Sequence, residues 1–451
     1  MTTRRGVRPA ILAVGASVAA ALLSPVGCDR SDGPGDVPQE WGDPGGRWHS
    51  DGWREVPAEA EDALTDEQRA EIERLRSIGY LPGSHPVPIQ SGVTVYDADR
   101  AYDGLNFYTS GDFAGAVLMD MRGRIIHIWR RSYIDAWKTG PRDELPASSK
   151  GAGYWRRAHL FENGDVLAIF EGMALIKVDR NSKLIWADLG GYHHDLEVMP
   201  DGRIYTLTRE AHIVPRVNPE HPILEDYVAV LDAAGTEIDR LSILEAFEAS
   251  DYSRLIEGMK NAGDVFHTNT IEVLDGRLAG SLPAFRRGNV LITMRELPVI
   301  AVIDMDRRAV VWALAGSWVA PHQATVLANG DVMIFDNRGN GGVSGVVEFD
   351  PVDLRTVWIF AGNPPPSFFS KECGSNQRLP NGNTLITESD RGKAFEVTPE
   401  GTIVWKYINP AQAGEHREFV ATLFEVIRLP ADFPVAWARP PRAAGRAREA
   451  E

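Results

Sequence analysis

The chain has 451 residues, a formal charge of −16 and a hydrophobic fraction of 43%. That composition supports a large packed core and excludes a wholly disordered chain. The acidic balance, with no basic stripe interleaved with aromatic residues, argues against nucleic acid as a partner.

Arg4, Arg5 and Arg8 precede an apolar run from Ala10 to Leu23, followed by small residues and Cys28. A positive start and a short apolar run read as a signal peptide over residues 1–27. The run is shorter than the roughly 18–20 residues that a membrane-spanning helix needs. A cysteine directly after small residues resembles a bacterial lipobox. The expectation is an exported protein of the periplasm or cell envelope, lipid-anchored through Cys28 and touching the membrane only there. The other cysteine is Cys373, so no disulfide framework is available. Residues 28–60, rich in Gly, Pro and Asp, read as a disordered linker. Residues 61–94 hold a short helix and a lead-in. Thr65 and Gln68 have the spacing of a capping box, Ile72, Leu75 and Ile78 make an apolar side, and Gly79 ends the helix.

From 95 to 430 the chain reads as short strands. Turn signals recur at Glu162-Asn-Gly-Asp165, Pro200-Asp-Gly-Arg203, Asp275-Gly276, Ala328-Asn-Gly-Asp331 and Pro380-Asn-Gly-Asn383. Asn-Gly between apolar runs suggests a two-residue hairpin turn with positive φ at both positions. A second hairpin follows most of these and ends in Trp, as at Trp186, Trp312, Trp358 and Trp405, with Trp129 closing a first, shorter unit. About six such four-stranded units read as an all-β, six-bladed β-propeller with a short N-terminal helix and disordered N- and C-terminal tails, the latter over 431–451. The tryptophans are expected to pack blade against blade, and Phe419–Leu429 to return to the first blade. Glu210–Tyr227 reads as a loop over one face and Glu245–Asp264 as a helical insertion.

Equivalent positions in these units carry polar residues. His194 and His322 each stand eight residues before their turn glycines, Gly202 and Gly330. His267 opens the corresponding strand of the fourth unit. Arg209, Arg295 and Asn337 each stand seven residues after Gly202, Gly288 and Gly330. The matching regions of the second and sixth units are Arg156-Arg157-Ala-His159 with Glu171, and Cys373-Gly-Ser-Asn376 with Glu388. In a propeller the first strands line the axis, so these groups are expected to converge. Imidazoles can act as nucleophile, acid, base or metal ligand. Arginine beside them favours an oxyanion over a metal ion.

Taken together, His193-His-Asp-Leu-Glu-Val-Met-Pro-Asp-Gly202, Asp264-Val-Phe-His-Thr-Asn269 with Arg295, His322 to Asn337, and Gln377 to Asp390 resemble the bacterial, PAPS-independent arylsulfotransferases. The resemblance implies a six-bladed propeller that moves a sulfuryl group from an aryl sulfate donor to a phenolic acceptor through a sulfohistidine. It implies His322 as nucleophile, Arg295 as sulfate clamp, and His194 and His267 as flanking histidines, with His193 able to take the place of His194. Arg209 and Asn337 are expected at the substrate, and no metal or other cofactor. Two other readings stay open on the residues: a metal-dependent propeller hydrolase and a non-catalytic surface scaffold.

Overall fold

Six antiparallel sheets of four core strands follow one another along the chain in a computed structural model, which describes residues 64–76, 79–136, 150–364 and 367–438. The leader, Cys28, the linker to residue 60 and Ile78 lie outside the described residues. Blades II to VI start at Arg157–Leu160, Tyr192–Val198, Thr268–Val273, His322–Val326 and Ser375–Arg378. Blade I takes Gly104–Ser110, Gly115–Asp120 and Ile125–Arg130 from the N-terminal side. Its fourth strand is Leu423–Pro430, paired from Leu423↔Ser110 to Pro430↔Gly104. The chain therefore closes into a ring whose first strands touch their neighbours.

The hairpin turns differ in detail from the sequence expectation. Gly330 has φ +93° and its N–H bonds back to the Leu327 carbonyl, whereas Asn329 is not left-handed. The turn is of the kind that ends in a bulge glycine rather than a two-residue turn with positive φ twice. Asn329 instead uses its side chain, accepting from the Asp331 N–H. The tryptophans reach the next blade. Trp129, Trp358 and Trp405 donate their indole N–H to the carbonyls of Gly164, Pro399 and Met121.

The inner strands present backbone N–H groups that no further strand can pair. Side chains of one blade accept them from the next. Asp195 and Glu197 accept from Ile271 and Val273, Thr270 and Glu272 from Gln323 and Val326, and Gln377 from Arg428. Burial pushes the Glu272 carboxyl up to about 8 and Glu197 up to about 7, against hydrogen bonds that lower them. Arg428, on the closing strand, is wholly buried. It pairs with Glu396 at 2.9 Å, donates to Asn106 and lies over the Trp405 ring.

The interval Glu210–Tyr227, expected as a loop, is instead the outer part of a long hairpin, Ile204–Val214 with Asn218–Leu231. Its apolar residues explain why it stays in strand register: Ala211 and Leu224 pack against Ile72 and Leu75 of the helix Asp66–Arg76. That helix carries the capping box, with Gln68 N–H on Thr65 Oγ1 and Thr65 N–H on Gln68 Oε1. The second interval contains the helix Ile243–Glu248, a turn of 3₁₀ helix at Ser253–Ile256 and a short strand, Gly263–Asp264. Order extends past both ends of the 95–430 range. Gly92–Tyr96 adds an outer strand to blade VI, and Phe433, Val435 and Trp437 pack on the core of blades I and II. Residues 439–451 lie outside the described residues.

Two stability experiments follow from the ring. Arg428→Ala leaves Glu396 charged in the interior and should cost about 3–5 kcal/mol in denaturant unfolding. A wild-type midpoint would show that the closing strand does not depend on the pair. For Glu272 the folded state holds its proton more tightly than the unfolded chain. The associated stability is complete below the ordinary value of 4.5 and is lost as pH rises toward about 8. Glu272→Gln should therefore flatten the fall in melting temperature across that window, and an unchanged slope would contradict the assignment.

Candidate active site

The channel end of the inner strands is built on a repeated irregularity. Register shifts occur after His193 in blade III, at Thr268 in blade IV and after His322 in blade V. His194 and Gln323 at the bulges of blades III and V, and His267 just before the blade IV strand, have φ of 57°, 48° and 50°. A left-handed non-glycine residue costs about 1–3 kcal/mol, and a bulge re-aims its side chain. In the blade III bulge two inner-strand residues stand against none on the partner strand, whereas in blade V two stand against one, Ile334. Counting back from the turn therefore matches His194 to His322, whereas the pairing matches His193 to His322 and His194 to Gln323.

His194 and His322 border one space, together with Arg156, Asn269, Gln323 and Phe424. His322 is buried, and its Nδ1 faces two acceptors, Asn337 Oδ1 at 2.7 Å and the Ala320 carbonyl at 3.1 Å. The Asn337 amide is oriented by donating to the carbonyls of Ser370 and Cys373. Nδ1 therefore carries the proton, and buried Nε2 keeps a lone pair with no hydrogen-bond partner among the described residues. Burial first, then the positive charge of Arg295, holds the His322 imidazole well below its ordinary value, so it is neutral.

His194 Nε2 and His267 Nε2 are 3.1 Å apart. His267 Nδ1 meets Asp264 Oδ2 at 2.5 Å. Burial opposes the Asp264 charge, yet the His267 imidazole keeps its carboxyl below the usual range. The neighbouring Asp226 is pushed up by burial and by Asp264. His193 stands behind, its Nδ1 2.7 Å from His194 Nδ1 and its Nε2 toward Asp226 at 3.6 Å. Of the adjacent pair, His194 is thus the one at the cavity. Burial, then neighbouring His267, depresses the proton affinity of His194, and burial with Arg209 that of His193.

The arginines divide. Arg295 is partly buried, donates to Glu296 and Glu372 and, like His267, is not among the described residues lining the cavity. Arg209 turns toward Glu171, 3.5 Å away, with its guanidinium packed on Gly172, and does not appear among the described residues lining the cavity. Arg156 lines it instead. Repeat comparison reaches Arg156 and Glu171 as matching positions of blade II without singling them out. Asn269 donates to the Pro321 carbonyl next to His322, and its place in the His-Thr-Asn run was the available signal. Tyr80, whose hydroxyl touches both His194 and His267, lies outside the repeat and left no pattern to follow.

Among the described residues, Glu171, His193 and His194 have ligand atoms close enough to one another to hold a metal ion. Arg156 Nε at 4.0 Å and Arg209 Nη1 at 3.5 Å bring positive charge to the same carboxylate. That surrounding suits an anion better than a cation.

A family model described as arylsulfotransferase (ASST) matches residues 157–410. No curated protein matches the chain. Among solved structures, a protein of unknown function from Bacteroides caccae is 11% identical over 72% of this chain and 98% of that one, with a TM-score of 0.46. A streptogramin B lyase structure is 12% identical over 78% and 96%, with a TM-score of 0.40. The β-propeller domain of Myceliophteria thermophila Cps50 is 10% identical over 73% and 89%, with a TM-score of 0.41.

The protonation state of His322 is open to direct measurement. In a nitrogen-15 NMR titration, His322 should show the Nδ1–H tautomer and stay neutral as pH falls through 6.5, the ordinary midpoint. An imidazolium at that pH would contradict the buried lone pair.

Proposed function

The chain belongs to the arylsulfotransferase family, and from that premise we propose that it moves a sulfuryl group from an aryl sulfate to a phenol through a sulfohistidine at His322. The observation that carries this reading is the unpartnered, buried Nε2 of a neutral imidazole whose other nitrogen is held by Asn337, beside a cavity shared with His194 and Arg156.

In the first half-reaction the Nε2 lone pair attacks sulfur and the bond from sulfur to the aryl oxygen breaks. His267, backed by Asp264, gives a proton to the departing oxygen. In the second half the same group takes the proton of the incoming phenol, whose oxygen attacks sulfur as the N–S bond breaks. Sulfuryl transfer, like phosphoryl transfer, requires charge to be positioned more than bonds to be built. Arg156 and Arg295 supply that charge to the sulfuryl oxygens, Arg295 after release from half-exposed Glu372. Arg209 acts through Glu171, which accepts the His194 N–H and so holds its left-handed backbone. A covalent intermediate divides one hard transfer into two easier ones. The proposal includes export by the 1–27 leader and acylation of Cys28, on the charge and hydropathy pattern of the leader alone.

Mass spectrometry of protein quenched with 4-nitrophenyl sulfate should find the sulfuryl mass on the peptide containing His322. His322→Ala should lose both the label and phenol release while keeping the wild-type melting temperature. Arg295→Ala should weaken transition-state binding by about 2–4 kcal/mol, read from kcat/KM. Wild-type turnover in His322→Ala would end this assignment.

A further inference from the structure

Tyr80 enters the site from the lead-in, between the helix and the first blade. Its hydroxyl lies 2.6 Å from His194 Nε2 and 2.9 Å from His267 Nε2, which are themselves 3.1 Å apart. The ring stands edge-on to both imidazoles, with Phe424 beside it and the Arg156 guanidinium 4.9 Å from its centroid. The residue as a whole is partly exposed, while its hydroxyl is held between the two imidazoles.

Three atoms in mutual hydrogen-bond contact leave no room for a substrate oxygen between these imidazoles. The proposed transfer needs that oxygen there, since it must exchange a proton with one of them. The present occupant is itself a phenol, the same chemical group as both leaving group and acceptor. Burial pushes the Tyr80 hydroxyl up, so it stays protonated and serves as a neutral hydrogen-bonding filler.

The attachment of the segment is light. The Tyr80 N–H donates to the Tyr154 hydroxyl, Thr422 bonds the carbonyls of Leu81 and Pro82, and His85–Pro86 pairs with Phe419–Val420. Leu81 and Ile89 are exposed rather than anchored in a core. Segments with few buried apolar contacts and surface hydrogen bonds open most readily.

We propose that Tyr80 is an internal phenol occupying the aryl-oxygen position of the site, and that the segment Gly79–Ser84 is a strap that substrate must displace. The class of ligand rests on the arylsulfotransferase reading; the occupancy rests on the geometry alone. A tethered competitor lowers apparent affinity by the fraction of molecules in which the site is filled.

The test uses the full chain and 4-nitrophenol as probe, with affinity measured by calorimetry. Tyr80→Ala should bind the probe at least about tenfold more tightly than wild type, whereas Tyr80→Phe, which keeps the ring, should gain much less. In wild-type protein, saturating 4-nitrophenol should accelerate amide hydrogen exchange across 79–84, a readout that does not require the alanine variant to fold. Equal or weaker binding by folded Tyr80→Ala, or a strap that stays protected under saturating probe, overturns the proposal and makes Tyr80 a fixed wall of the site. If aryl sulfate labels no histidine in any variant while the probe still displaces Tyr80, the reaction assignment falls and the strap stands.

Discussion

The pairing of Leu423–Pro430 with Gly104–Ser110 is the constraint on which the rest of the molecule depends. A single four-stranded sheet cannot bury both faces, and six of them do so only when each has a neighbour on both sides. The C-terminal strand supplies the missing neighbour for blades I and VI. Arg157 on blade II meets both Glu425 of the closing strand and Asp195 of blade III, so the closure is also tied electrostatically at the axis. Closure sets the distance across the channel, and that distance decides whether imidazoles from blades III, IV and V can meet.

The inner strands do two jobs that conflict. Their backbone must be satisfied without a further strand, and their ends must present reactive groups. Carboxyl, hydroxyl and amide side chains of one blade meet the first need by accepting the N–H groups of the next. Left-handed residues at the strand ends, His194 and Gln323 in bulges and His267 just before its strand, meet the second at the cost of backbone strain. The burial that makes the site is also what keeps His194 and His322 neutral, since an imidazolium enclosed among arginines would be poorly solvated. A neutral imidazole with one nitrogen tied to Asn337 is suited to nucleophilic attack. A second one tied to Asp264 is suited to proton transfer. The same residue type thus takes different chemistry from its partner.

How much of this was legible along the chain depended on the range of the interactions involved. The hairpins at Gly164, Gly202, Gly330 and Gly382 were readable because turn chemistry is local, although only the glycine of each Asn-Gly or Asp-Gly pair proved left-handed. The distance from His322 to Asn337 followed from folding one hairpin. Spacing could not separate His193 from His194, because one extra residue in a bulge exchanges the direction of each side chain. The Glu210–Tyr227 stretch looked like a loop by its prolines and histidines, yet the Asp66–Arg76 helix gives its apolar face something to cover. Arg209 was expected at the substrate by symmetry with Arg295, but Glu171 draws it aside.

By itself the amino-acid sequence determined the strand repeat, the six-bladed class, the capped helix and the polar positions, because each depends on residues a few places apart. The three-dimensional structure alone decided that His194 rather than His193 faces the cavity and that Arg156, rather than Arg209 or Arg295, lines its wall. It also decided that Tyr80 reaches two imidazoles from the lead-in, in contacts 114 and 187 residues apart in the chain. Such contacts are set by ring closure and by competition among buried charges, and neither has a period that a linear pattern can carry.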